Sequence, residues 1–461
     1  MPRTYRRYIF FTFLGVFALT APLLILYTAG YRYNWERGKI QETGVLLTNY
    51  RPTTALLQLN NVVGAKKAPA RFSGLIPGRY TITIEKEGYY PWQKRLWVEP
   101  SKTTFAEHMI LWKKDSAPER VSLDAPSLSV QSPNKKYITL ITKKNPATVA
   151  LFDTRTKKIV DTITPPQKKS ATITNILWSP NGRRLFIESA NSEQFIATIE
   201  TEHGSPIALT KFSTERLLRV TWNTDDDDRL YGYTRAAPLK PGYQLLEIDL
   251  FRGATQTASV GVLPNITPYF VEDDLFYRVE QGVLSITSFA ASKQALERRL
   301  ALPDAPTNKV TFLSNGPDTM ITLFDQEHKR ILLIDKGTAT LYPIQETIDG
   351  VVDALWSPQK NRLLWNTGKT LALLDLEQST REVIVEETKK IHAMAWDPEN
   401  EYVFYAAGDT VTVTEIDDRD ARNRVPLITI PELQGIMVST IGNTLFAQGR
   451  DGISPYTITD R

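Results

Sequence analysis

The stretch "ILWSPNGRRLFIE", residues 176–188, returns in altered spelling as "ALWSPQKNRLLWN" at 354–366 and "MAWDPENEYVFYA" at 394–406. Each copy has a Trp, a polar turn and then an apolar β-rich run. Trp178, Trp222, Trp356 and Trp396 mark one recurring position, and Phe270 and Phe312 stand where the interval between Trp222 and Trp356 calls for two more copies. Gln131, before "SPNKKYITLI", and Val438, before "STIGNTLFAQG", complete a series spaced 47, 44, 48, 42, 44, 40 and 42 residues apart. A unit of this kind cannot bury its apolar face alone, so it has to stack against its neighbours.

Within each unit the order repeats. One strand ends at the Trp and a second starts about eight residues later, at Phe186, Leu364, Phe404 and Phe446. A third often ends in Asp, as in "VALFDTRTKK" and "LALLDLEQST", where the carboxylate can open a turn by bonding its own backbone. A weaker fourth strand closes the unit. Four strands per 40–48 residues is the period of a β-propeller blade. Residues 115–461 are therefore expected to be a propeller, with eight blades favoured over seven. Trp178, Trp222, Phe270, Phe312, Trp356 and Trp396 are read as packing wedges between blades, since a Trp buries up to about 250 Å². The "WSPNGRR" spelling at 178–184 resembles TolB-type and WD-like propellers. The last unit holds three strands, and "PERVSLD" at 118–124 is expected to supply the fourth, joining the chain ends and covering an exposed edge.

Ahead of the repeats the period is different. Tyr8 to Tyr31 carry no charge, and 24 residues make about 36 Å of helix against a hydrocarbon layer of about 30 Å. Arg3, Arg6 and Arg7 precede the run, which favours a cytoplasmic N-terminus. The run exceeds the 7–15 apolar residues of a cleaved signal peptide, so it reads as a signal anchor, with residues 1–7 cytoplasmic, 8–31 spanning the plasma membrane and the rest extracytoplasmic. A buried helix of a soluble protein is the other reading.

Residues 40–112 alternate with period two in "GVLLTNY", "ALLQLNN", "RYTITIEKEGYY" and "QKRLWVEP". Tyr80, Ile82 and Ile84 share one face of their strand. Pro77-Gly78 makes a tight turn into it. Gly44-Val45-Leu46, Pro52, the Pro77–Tyr80 turn and "KEGYYPWQKRLWVEPSKTT" together resemble the PEGA domain, which implies a small β-sandwich of a surface protein. Here "VGAKKAPARFSGL" replaces that family's namesake motif. Trp92 and Trp97 could form a carbohydrate platform, but five residues apart on a strand they point to opposite faces, so at least one belongs to the core.

Catalytic patterns are absent. The chain has no Cys, which removes thiol chemistry and Cys-ligated zinc. His108, His203, His328 and His392 lie far apart, and no G-x-S-x-G elbow, P-loop or G-x-G-x-x-G occurs. No catalytic, cofactor or metal residue is therefore nominated, and no cofactor is expected. "NTDDDDRL" at 223–230 puts Asp225 to Asp228 in a turn, read as a solvated loop with a calcium site as the alternative. The basic pairs Lys135-Lys136, Lys143-Lys144, Lys157-Lys158 and Lys168-Lys169 could meet an anionic polymer. Residues 1–120 carry 18 Lys and Arg against 8 Asp and Glu, which suits a juxtamembrane position.

The expectation is an all-β, non-enzymatic, membrane-anchored binding or scaffold protein of the cell envelope. Its partner would be a protein, a peptide or wall glycan, and no nucleic acid is expected. The rivals are a propeller hydrolase or lyase with its site in the central channel, and an envelope assembly factor resembling TolB.

Overall fold

The computed structural model describes residues 3–35, 38–60, 62–64, 67–119, 123–166, 171–199, 205–236, 241–258, 260–288, 298–304, 309–314, 316–337, 340–341 and 348–460. The chain divides into two compact units. One is Met1–Ser116 with Val413–Leu427 and Thr457–Arg461; the other is Ala117–Thr412 with Ile428–Tyr456.

The first unit opens with a helix over Arg3–Thr28 that contains Pro22. Its Tyr5–Thr28 stretch is long and apolar enough to cross a membrane, and none of it is buried. The helix starts five residues before the expected span and stops three residues short of its end. Gly30, at φ +88°, takes the left-handed conformation that terminates it, and a strand begins at Tyr31. That strand, Tyr31–Asn34, pairs with Lys39–Glu42 in a hairpin that the alternation did not reveal.

Two sheets then stack as a sandwich. One holds Ala70–Leu75, Gly44–Arg51 and Thr103–Ile110 in that order, and the other holds Val62–Gly64, Leu56–Leu59, Gly78–Glu85 and Trp92–Val98. Leu46, Leu57, Ile82, Ile84, Trp92 and Leu96 form part of the core between them. Trp92 is 4% exposed and Trp97 is 56% exposed, so the pair splits across the two faces of its strand. Thr103–Ile110 runs parallel to Gly44–Arg51 and also escaped the sequence reading. Gly44 is required where it stands: a Cβ there would lie 2.3 Å from the Glu99 carbonyl oxygen and 2.5 Å from Val98.

Eight further four-stranded antiparallel sheets occur among the described residues, most of their strands in the second unit. Their first strands are Pro126–Gln131, Ile173–Trp178, Leu218–Trp222, Tyr269–Glu272, Val310–Phe312, Asp353–Trp356, Ile391–Trp396 and Gly435–Val438. The turn after the first strand repeats its chemistry because one side chain caps it. Ser132, Ser179, Ser357 and Ser439 each accept, on Oγ, the backbone N–H five residues on, at 2.9–3.1 Å. The Asp ending the third strand does the same at the next turn. Asp153 accepts the N–H groups of Arg155 and Thr156, and Asp375 those of Glu377 and Gln378.

Cores form between consecutive sheets. Tyr137, Leu151, Trp178 and Ile187 join the first sheet to the second; Phe186, Trp222 and Ile248 join the second to the third. The series closes on itself, because Ile138 and Phe152 of the first sheet share a core with Phe446 and Ile453 of the last. Phe152 meets Phe446 edge to face, with centroids 5.7 Å apart.

The last sheet is completed from upstream. Leu123–Asp124 pairs antiparallel with Gly452–Thr457, and Pro118 bridges Tyr456. The Glu119 N–H donates to the Pro455 carbonyl at 2.9 Å. Lys157 pairs with Glu119. Deleting residues 118–124 should lower propeller stability by about 2–3 kcal/mol, the net worth of two or three backbone hydrogen bonds at ~1 kcal/mol each. It should also bare a strand edge. Calorimetry of the full chain checks this, and an unchanged unfolding temperature would dismiss the clasp.

Candidate functional site

The four Trp of the repeat are 4–6% exposed. Each donates its indole N–H to the preceding sheet: Trp178 to Val130 O at 3.4 Å, Trp222 to Leu177 O at 3.1 Å, Trp356 to Thr322 Oγ1 at 3.0 Å and Trp396 to Leu355 O at 3.2 Å. An indole fills the gap between two twisted sheets with its ring and satisfies one of their polar atoms with its N–H. Where the repeat has Gln131, the amide takes over the second task across the closure, donating to Val438 O at 2.9 Å.

Phe270 and Phe312 can do only the first task, and with a smaller ring. Both are only partly buried. They lean on each other at 4.8 Å between centroids, and Phe270 stacks on Tyr277 at 4.4 Å. Beside these two substituted positions lies a cavity of about 350 Å³, within the size range of small-ligand sites. Its wall includes Trp222, Phe270, Phe312 and Leu313 as apolar surface, with Thr221 and Ser314 as hydroxyls.

Its charges are arranged with care. Lys336 pairs with Glu272, and Lys360 pairs with Asp318 at 2.7 Å. Burial raises the Glu272 carboxyl above its ordinary range, and the Lys336 ammonium opposes that rise. Asp318 is held below the usual carboxylate range by its hydrogen bond and charge pairing with Lys360.

Arg219 differs from both lysines. It sits at φ +49°, inside a bulge between Leu218 and Thr221 where the strand register slips. Among the described residues no carboxylate lies within ion-pair distance of its guanidinium, whose hydrogen bond goes to Val310 O at 3.5 Å. Solvent reaches the side chain, yet the surrounding protein lowers its pKa by desolvation, opposed by Tyr233 and Tyr269. Tyr269 also lines the cavity. Its hydroxyl is buried without a hydrogen-bond partner among the described residues, and burial pushes its phenol far above the ordinary value.

The remaining nominated residues have other uses. Asp227 accepts the Asn181 N–H at 2.9 Å, Asp228 pairs with Arg184, and Asp226 pairs with Arg229 at 3.2 Å, so three of the four carboxylates tie this turn to itself and to the neighbouring one. No group of three or more His, Asp or Glu is placed to hold a metal ion among the described residues. His328 bonds Asp325 at 2.7 Å beside Arg330, and His392 is exposed on the first strand of its sheet. His203, Lys168 and Lys169 lie outside the described residues. Lys135 donates to Trp396 O at 2.9 Å.

Sequence reasoning missed Arg219 and Tyr269. The signal is the pair of Phe residues at Trp positions, which marks where the wedge is undersized. Arg219 stands three residues before Trp222, where other units hold Asn175, Lys309 and Asp353 but also Leu128 and Ala393, so the repeat does not fix the residue type there.

A PEGA domain model matches residues 49–108, so the chain carries a PEGA domain. The C-terminal WD40 domain of Sif2 is similar in structure, with a TM-score of 0.52 and 14% identity, covering 76% of this chain and 99% of that one. That likeness shows a WD40-like propeller fold. A chain of the Mitotic Checkpoint Complex aligns at a TM-score of 0.42 and 12% identity, over 75% of this chain and 95% of that one. No curated protein sequence matches the chain.

Proposed function

We propose that this chain is a single-pass anchored, non-enzymatic binding protein. Residues 8–31 would span the plasma membrane, the PEGA domain (40–112) would lie outside the cell, and a propeller (115–461), one blade per sheet, would present the cavity as its binding site. The observation that carries this reading is the cavity itself: first strands of adjacent sheets hold an aromatic floor and fixed charges, as rigid recognition sites require. The three basic residues before the uncharged run, Arg3, Arg6 and Arg7, support a cytoplasmic N-terminus.

Two measurements test it. Protease added to intact cells should digest the chain beyond residue 31 and leave its N-terminus protected; a fully protected chain would end the extracytoplasmic reading. The full-length chain, solubilised from membranes, should then retain a protein or peptide partner, and Phe312→Trp, which fills the cavity, should release it. Retention on wall glycan that ignores Phe312→Trp would move the binding surface elsewhere.

A further inference from the structure

Arg219 and Asp225 both line the cavity, the first on the strand that ends at Trp222 and the second in the turn after it. The other charged groups of its lining, Lys336 with Glu272 and Lys360 with Asp318, are already paired. Among the described residues Asp225 has no cation within ion-pair distance; it is exposed and takes hydrogen bonds only from its own turn, where Thr224 Oγ1 donates to its carboxylate at 3.1 Å. One unpaired cation and one unpaired anion therefore share a single cavity. The cation is accompanied by a buried hydroxyl, Tyr269 Oη, with a hydrogen bond still to make. Buried polar groups rarely stay unsatisfied without a use. The partly exposed rings of Phe270 and Phe312 line the same cavity.

Resting on the reading of this cavity as the binding site, we propose that it takes a short peptide with free termini. The terminal carboxylate meets Arg219 and the Tyr269 hydroxyl, the terminal ammonium meets Asp225, and an apolar side chain rests on Phe270 and Phe312. The planar guanidinium fork suits a carboxylate, and a neutral Tyr hydroxyl donates to the same group. Length argues for a peptide over a single amino acid. Arg219 lies near the start of the strand that ends at Trp222, and Asp225 lies in the turn that follows it, six residues further along the chain. An extended chain of three residues spans about 10 Å, whereas the two charges of one amino acid sit only a few Å apart. Desolvation of Arg219 accords with this, since a charge partly removed from water gains most from a fixed partner.

The test is calorimetric titration of the full-length chain in detergent with the tripeptide Ala-Phe-Ala, its C-terminal amide and its N-acetyl form. The free tripeptide should bind, and amidation should weaken it about tenfold or more, the worth of one charge-assisted contact. In Arg219→Gln the acid and the amide should bind alike, and in Asp225→Asn the acetyl form should match the free amine. Phe312→Trp should abolish binding while the chain unfolds at an unchanged or higher temperature. Absence of tripeptide binding, equal binding of acid and amide by the unaltered chain, or equal weakening of both by Arg219→Gln would each overturn the assignment. A partner captured from membranes and released by Phe312→Trp, with no tripeptide bound, would overturn the ligand class and leave the cavity as the binding site.

Discussion

Trp396→Ala should cost the second unit about 3–5 kcal/mol, the range for removing a buried aromatic side chain from a core. The indole is 4% exposed and its N–H donates to Leu355 O in the sheet before, so truncation leaves a void between two sheets and an unpaired carbonyl. In a closed ring each sheet is covered only by its two neighbours, so the void weakens both flanks. Trp396→Phe separates the two losses. It keeps most of the ring and gives up the hydrogen bond, with an expected cost of about 1–2 kcal/mol. Phe270 and Phe312 show that a ring without an N–H is tolerated at this position, with greater exposure as the consequence. Denaturant titration of the full-length variants reads both numbers. A loss from Trp396→Ala no greater than that from Trp396→Phe would mean the indole is no wedge.

The second large effect belongs to Lys94, in the first unit. Its strand, Trp92–Val98, buries alternate residues, and Lys94 occupies a buried position between Trp92 and Leu96 with no exposed surface. Its Nζ lies 2.6 Å from Glu415 Oε1 and 3.3 Å from Asp417 Oδ2, and donates to the Asp417 carbonyl at 2.7 Å. Trp92 Nε1 donates to the other Glu415 oxygen at 2.9 Å, and the Asn423 N–H donates to the first at 2.8 Å. The Lys94 ammonium and both Glu415 oxygens are thereby partnered. Lys94→Met leaves a buried carboxylate without its cation and should destabilise the first unit by about 3–5 kcal/mol. Lys94→Met with Glu415→Gln should recover much of that loss, because the uncompensated charge disappears with its partner. If the double variant were as unstable as the single one, packing and not charge would be responsible.

The same cluster gives the unit a defined response to acid. Burial tends to raise the Asp417 carboxyl, but Arg419 and Lys94 outweigh it and hold the pKa at about 2, below an ordinary 3.8. A depressed folded-state pKa means that Asp417 contributes its full stability above about pH 4 and loses it as pH falls towards 2. Arg419→Gln should shrink that acid-sensitive part, measured as the difference in unfolding free energy across this window.

Nothing in the sequence marked Lys94 for this role. Alternation in "PWQKRLWVEP" assigns its side chain to the face of Trp92 and Leu96, but a Lys on an apolar face usually reaches out to water. Its partners stand more than 300 residues away, and periodicity along a strand carries no information about them. Asp225 to Asp228 illustrate the reverse. They stood out as a dense acidic run, and three of the four turned out to be occupied by an N–H or an Arg of the same or the neighbouring turn. Arg219 and Tyr269 are fifty residues apart and of unlike type, so only the stacking of adjacent sheets brings them to one cavity wall.

From the residues alone came the spacing of the Trp positions, the polar turn after them, the Asp that opens the later turn, the apolar helix and the PEGA pattern. Each is a local property, because strand period, turn chemistry and helix length depend on residues a few places apart. Closure of the first sheet on the last, the buried ion cluster around Lys94 and the cavity beside Phe270 and Phe312 were decided by tertiary structure. They depend on which distant side chains meet, and on whether a ring of given size fills the space between two twisted sheets, and neither quantity is written in any short stretch of the chain.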